Sequence, residues 1–308
     1  MALANWMPPG PDGSIIVEGS VRVQGHSMYY FNSGSGSPLL LLHGLLGTAS
    51  CWGPSVRRFS QKAAVYAVDF LGIGRSDRVP GLDAGLAAHA ERLAAFLDAV
   101  GVSSTDIVAT SHGGAVALQF AATYPGRVRS LILQAPANPF SDLADPRIQF
   151  FSGKFGQRLA YCIPFLPRPF LNLALGRMYA DSSRIVPGAL DLYMSSLAIP
   201  GTVDHVLNIL SRWQEDMQTL EALLPLLRQV PTLLLWGSDD RAVSLDSAYR
   251  LMEILGNARL EILPHTGHLP YEEDPELFCT VVQRFLEEQR PIEAATPRQT
   301  GPRLVRGR

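Results

Sequence analysis

Reactive chemistry in this 308-residue chain centres on one serine. Around Ser111 the sequence reads Ala109-Thr110-Ser111-His112-Gly113-Gly114, where the apolar run Thr105–Thr110 gives way to a helical pattern from His112 to Tyr124. A serine at a sharp strand-to-helix turn needs small residues two positions to either side, and Ala109 and Gly113 are small. The helix start supplies unpaired N–H groups and the positive end of a dipole, which stabilise a developing oxyanion. That combination points to nucleophilic acyl transfer. An ordinary helix N-cap also uses serine, so this segment alone leaves both readings open.

The turn resembles the nucleophile elbow of the α/β-hydrolase fold, G-x-S-x-G, with Ala109 standing for the first glycine. Three further segments resemble the same family, and together the likeness covers about residues 25–135 and 228–290. His43-Gly44-Leu45-Leu46-Gly47 looks like its HGxxG loop. The resemblance makes the backbone N–H groups of Leu45 and His112 the oxyanion donors, and gives His43 a loop-ordering role rather than a catalytic one. Leu234–Ser244 (LLWGSDDRAVS) is similar to W-G-x-x-D-x-x-x-P, which implies Asp240 as the acid, Asp239 as its neighbour, and Ser244 in the proline position. Pro264–Pro270 (PHTGHLP) matches G-H-x-P and implies His268 as the base, with His265 a loop residue. In that reading His268 takes the serine proton, while Asp240 holds the imidazole in the right tautomer and stabilises the imidazolium. The chain order Ser111, Asp240, His268 is that of the fold. Some relatives carry the acid one strand earlier, which makes Asp142 the alternative. Asp69–Asp77 (DFLGIGRSD) is similar to a structural turn of the family; its GxG has no third glycine and no GK[ST] after it, so it is not read as a phosphate loop.

The elements that must position these groups alternate. Pro38–His43, Ala63–Asp69, Thr105–Thr110, Val128–Gln134, a run beginning near Val230 and Ala258–Leu263 read as buried strands, interleaved with helical patterns over 84–100, 112–124, 245–255 and 275–288. Short β runs precede them (SIIVEG, then VRVQGHSMYYF). Such alternation predicts an α/β fold with a mostly parallel sheet flanked by helices. From 137 to 228 the rhythm stops, and prolines punctuate aromatic and leucine-rich helical pieces. We expect a flexible segment over 1–13, a hydrolase core over 14–136 and 229–290, a helical cap over 137–228, and a disordered basic tail over 291–308.

Composition narrows the function. Hydrophobic residues are 47% and charged residues 18%, which supplies a large core. A net charge of −2 gives no overall attraction to nucleic acid or to an anionic membrane. No apolar run is long enough to span a bilayer, and the opening residues lack the pattern of a signal peptide. Three scattered cysteines without a CxxC pair argue against a disulfide framework or a zinc site, and for a reducing, cytoplasmic setting. No cofactor or metal is implied, the partner is a small-molecule ester, and oligomeric state is not legible. Within the resembled family, dehalogenases and epoxide hydrolases use aspartate at the nucleophile position, so Ser111 implies an acyl-enzyme. HGLLG differs from the HGGPG of the prolyl iminopeptidases. The expectation is a serine hydrolase of carboxylic esters with small to medium acyl chains, its pocket lined by the cap aromatics Phe140, Phe150, Phe151, Phe155, Tyr161, Phe165, Phe170 and Trp213. A long-chain lipase fits less well, since nothing indicates secretion. The alternatives are a carbon–carbon bond hydrolase or perhydrolase with the same triad, an acyltransferase, or a ligand-binding relative without turnover.

Overall fold

A computed structural model describes residues 16–141 and 146–289. The expected leading segment (1–13), positions 14 and 15 of the expected core, Asp142 and the expected basic tail (291–308) lie outside the described residues. The chain opens with β1 (Val17–Val23) and β2 (His26–Ser33), an antiparallel hairpin. The sequence suggests one continuous run from Val21 to Phe31. It is broken because Gln24 and Gly25 take φ of 50° and 85°, the paired left-handed conformation of a two-residue hairpin turn, which a glutamine disguises. Next come β3 (Ser37–Leu42), α1 (Gly53–Phe59), β4 (Ala63–Val68), α2 (Leu86–Ala99), β5 (Thr105–Thr110), α3 (Ser111–Thr123) and β6 (Val128–Gln134). Helix α1 has no counterpart in the sequence reading; Pro54 sits in its first turn, where a missing N–H costs nothing.

Five helices follow: α4 (Pro146–Ser152), α5 (Lys154–Ala160), α6 (Arg168–Gly176), α7 (Ala189–Leu197) and the 22-residue α8 (Thr202–Leu223). The βα rhythm then resumes with β7 (Thr232–Gly237), α9 (Asp246–Leu255), β8 (Ala258–Leu263), α10 (Pro270–Glu273) and α11 (Pro275–Glu288).

The eight strands form one sheet in the order β1-β2-β4-β3-β5-β6-β7-β8, parallel from β4 to β8 and antiparallel at the β1 and β2 edge. Alternate residues of the apolar strands serve opposite faces. Leu40, Leu42, Ile107, Ala109, Leu131 and Leu133 join the core beneath α2, α3 and α9. Leu39, Leu41, Val108, Ile132, Leu233 and Leu235 join the core beneath α1 and α11 with Trp52 and Phe59. Burial on both faces is why these strands read as unbroken apolar runs. The second half of α8 belongs to the first core through Met217 and Leu220, whereas Val206 and Leu210 from its first half pack with Ile73 in a smaller cluster. Parallel strands end on one side of the sheet, so the loops after β3, β5, β7 and β8 emerge together, the usual position of a site in such sheets.

Candidate active site

Ser111 is the first residue of α3 and has φ of 51°, a left-handed backbone unusual for serine. The N-cap position falls on Thr110, whose hydroxyl instead donates to Gln134 Oε1. The strained turn is wedged between two loops. A Cβ on Gly113 would lie 2.4 Å from the carbonyl oxygen of His43, and one on Gly114 would lie 2.5 Å from Pro136 Cβ. Ala137 N–H donates to the Ser111 carbonyl at 2.9 Å. On the open side, a Cβ on Gly44 would lie 3.2 Å from Ser111 Cβ and 3.8 Å from its Oγ. Gly44 therefore lets the His43–Gly47 loop approach the serine, and Leu45 and His112 each follow one of the two residues in that contact.

His43 is buried, and both ring nitrogens are occupied. Nδ1 donates to the Gly44 carbonyl at 2.8 Å, and Nε2 accepts from Phe70 N–H at 3.2 Å. Burial also lowers its pKa, so the ring is a neutral brace for the loop. The neighbouring Asp69–Asp77 turn is braced likewise: Asp69 accepts from Ala49 N–H at 2.6 Å and from Arg75 N–H at 2.7 Å.

Asp240 and His268 meet across two loops. His268 Nδ1 lies 2.8 Å from Asp240 Oδ2, and the two side chains are 4% and 1% exposed. Asp240 Oδ1 accepts from Ala242 N–H at 2.7 Å and Val243 N–H at 3.1 Å, so the carboxylate is anchored by its own loop. Asp239 is exposed and takes a bond from the Ser238 hydroxyl. Ser244, in the proline position, accepts from the Ser247 hydroxyl at 2.7 Å and so ties the loop to α9. His265 is exposed at φ 55°, a turn residue.

The loop of His268 is held from both sides. Its backbone N–H donates to the Met178 carbonyl at 2.7 Å. Glu273 accepts from Gly267 N–H at 2.8 Å and from Ala180 and Asp181 N–H at 3.1 and 3.0 Å. Glu272, fully buried and with its pKa raised by burial, takes hydroxyl bonds from Tyr179 at 2.5 Å and Tyr193 at 2.6 Å. Tyr271 is buried, its ring 4.5 Å from that of Trp52. Glu272, Glu273 and Tyr271 were not singled out by sequence: YEE opening a helix looks like a solvated first turn.

Beside the His43–Gly47 loop, Leu45, Ile148, Phe151 and Trp213 pack against a small apolar cluster of Ile73, Val206 and Leu210. Phe150, Phe155, Tyr161, Phe165 and Phe170, expected from the sequence to line a pocket, are instead exposed. The His112 ring lies 6.3 Å from that of Trp213 and 5.5 Å from His89, which in turn lies 5.7 Å from His205 of α8. Burial is the leading cause that pushes His112 down to about 3 and His205 to about 4, and it lowers His89 too, so the row is uncharged. His205 rests on Gly72, where a Cβ would come within 2.4 Å of its ring. No sequence signal joins these histidines, which come from α2, α3 and α8.

Residues 37–275 match the family described as alpha/beta hydrolase fold. An uncharacterised protein of Mycobacterium tuberculosis is 28% identical over 281 residues, covering 88% of this chain and 81% of its own. A 2-hydroxy-6-oxo-2,4-heptadienoate hydrolase of Pseudomonas putida is 25% identical over 281 residues, 89% of this chain and 96% of that one. Among solved structures, an epoxide hydrolase superposes with a TM-score of 0.78 at 20% identity, covering 90% of this chain and 100% of that chain.

Proposed function

We propose that this chain, which belongs to the alpha/beta hydrolase fold family, is a serine hydrolase that cleaves carboxylic esters through an acyl-enzyme. The observation that carries this reading is the buried 2.8 Å contact of His268 Nδ1 with Asp240 Oδ2. Nδ1 donates to the carboxylate, which leaves Nε2 unprotonated and able to accept the Ser111 proton as its oxygen attacks the acyl carbon. The tetrahedral oxyanion is stabilised by the N–H groups of Leu45 and His112, the second of these at the start of α3. His268 then passes its proton to the departing alkoxide. Water attacks the acyl-enzyme in the second half-reaction, with His268 again as base.

The uncharged cluster of Leu45, Ile73, Ile148, Phe151, Val206, Leu210 and Trp213 favours an apolar acyl or alcohol group over a charged one. Serine in the nucleophile position separates this reaction from that of the epoxide hydrolases, which resemble the chain in fold. Carbon–carbon bond cleavage is the second reading. Its support is the Pseudomonas putida relative, whose named substrate is a dienoate.

The test is turnover of p-nitrophenyl esters from acetate to dodecanoate, beside a 2-hydroxy-6-oxo-dienoate, by wild type and Ser111→Ala. We expect serine-dependent ester hydrolysis, with the Ser111→Ala rate lower by at least about 10⁴-fold. Efficient cleavage of the dienoate with negligible ester turnover would replace this reading with the second. No turnover of either, with Ser111 unlabelled by a fluorophosphonate, would leave a ligand-binding relative.

A further inference from the structure

We propose that the outward face of α5 and α6, with the turn between them, docks on an anionic lipid bilayer. Between Ile148 and Ala180 the charged residues are Lys154, Arg158, Arg168 and Arg177, all basic, in a chain whose net charge is −2. All four are exposed, and Arg168 reaches Asp191 at 2.7 Å. Among the described residues, eight of the fifteen exposed large hydrophobics also fall between Phe150 and Leu173. Phe165 is 85% exposed, Phe155 69%, Phe170 64% and Leu173 61%. Single exposed apolar side chains are ordinary; a concentration in consecutive elements is not.

The helical periodicity shows how the two features combine. Helix α5 buries Gly156 and Ala160, and exposes Phe155, Arg158 and Leu159. Helix α6 buries Leu175 and exposes Phe170 and Leu173, and the exposed Arg177 capping its end continues the spacing as i, i+3 and i+7. Each outward face thus carries two large apolar side chains and one arginine. Such a face suits the boundary between acyl chains and headgroups. Its apolar groups enter the layer, and the arginine stems lie along it while the guanidinium groups reach phosphate.

Charge selects the occupant. A second copy related by a two-fold axis would set this all-basic segment against itself. Arg168 is answered by Asp191, and an uncharged apolar partner would leave Lys154, Arg158 and Arg177 without a counter-charge. An anionic bilayer satisfies both features, and it acts locally, because screened attraction fades within about 8–10 Å and does not depend on the net charge of the whole chain. Helix α4 links the face to the interior, since Phe150 is exposed while Phe151 packs, as Leu45 does, against the cluster of Ile73, Val206 and Leu210. If the proposed ester reading holds, its substrates include esters delivered from that bilayer; the docking itself does not rest on catalysis.

Flotation of the full chain with phosphatidylcholine vesicles, with and without phosphatidylglycerol, tests the proposal. We expect binding that requires phosphatidylglycerol and weakens with salt. Phe165→Ser/Phe170→Ser and Lys154→Glu/Arg158→Glu should each weaken it by about tenfold or more, while turnover of a soluble short-chain ester stays as in wild type. Ser111→Ala should float like wild type, which separates this outcome from the enzymatic one. Absence of flotation by folded protein would overturn the proposal. So would binding unchanged in the phenylalanine variant, which would move the contact elsewhere, such as the arginines of 291–308. A dimer that the phenylalanine variant dissociates, without flotation, would give the face to a second copy.

Discussion

The sheet side and the cap side of the candidate site are held by different means. On the sheet side, backbone touches backbone: Gly113 against the His43 carbonyl, Gly237 against the Gly267 carbonyl, with the Asp240 carboxylate anchored by two N–H groups. Such contacts tolerate almost no displacement, because even one added carbon meets main chain. On the cap side, α4 and the first half of α8 meet the core through side chains: the Leu45 cluster, the row of histidine rings, and His205 resting on Gly72. Side-chain packing can be exchanged for other packing of similar volume. Under the proposed function, positional accuracy falls to the sheet loops and substrate choice to the helical insertion. One seam crosses that division, where Met178, Ala180 and Asp181 bond to the His268 loop.

The largest effect should come from the sheet side. Asp240→Asn keeps the shape of the acid but alters what it offers Nδ1, and ester kcat should fall by about 10⁴-fold with the fold intact by circular dichroism. Near-wild-type turnover would dissolve the contrast by removing the acid from the rigid half; Asp142→Asn would then be the next variant to measure. At the seam, Glu273→Gln places an amide N–H₂ against backbone donors, and kcat should drop about tenfold, with KM little changed, if the seam positions the base. A change in KM alone would make Glu273 a cap residue only.

Acidification tests the softer side. His112 and His205 titrate near 3 and 4 when folded, against 6.5 ordinarily, so the unfolded chain takes up protons first. Their stabilising contribution is complete above the unfolded value and declines as pH falls from about 6.5 toward the folded values. Urea unfolding followed between these limits should show that decline, and His205→Leu should flatten it by up to about 2 kcal/mol. An unaltered slope would mean that the histidine row is not what makes the boundary sensitive to acid. The smallest effect belongs to the outer cap surface: Phe165→Ser should leave the unfolding free energy within about 0.5 kcal/mol of wild type.

Much of this arrangement was legible in the sequence because it depends on local backbone geometry. Small residues at 109 and 113 announce a tight turn, and the resemblance of the GHLP and WGSDD segments to family loops named the two side chains that meet at 2.8 Å. The brace role of His43 was likewise accessible through its place in HGLLG. What escaped depends on convergence in space. His89, His205 and Trp213 lie on separate helices, and nothing in their neighbours says that they share a row. Glu272 and Glu273 look solvated until the cap supplies Tyr179, Tyr193 and two backbone N–H groups. Gln24 concealed a hairpin because its left-handed conformation is carried by a residue type that does not advertise it.

The hydrogen bond from His268 N–H to the Met178 carbonyl has a consequence for anyone who would rebuild this protein. Caps invite transplantation, since exchanging one between homologues promises a new pocket on an old catalyst. Here the natural cut points are not the ends of the helical insertion. A chimaera that replaces 178–181 together with its flanks puts at risk the Tyr179 hydroxyl bonded to Glu272 and the placement of the backbone groups of 178, 180 and 181 that hold the His268 loop, and should leave its imidazole less well fixed. One that leaves those four residues with their host, and exchanges the helices before and after them, would change what enters the site without changing what acts on it.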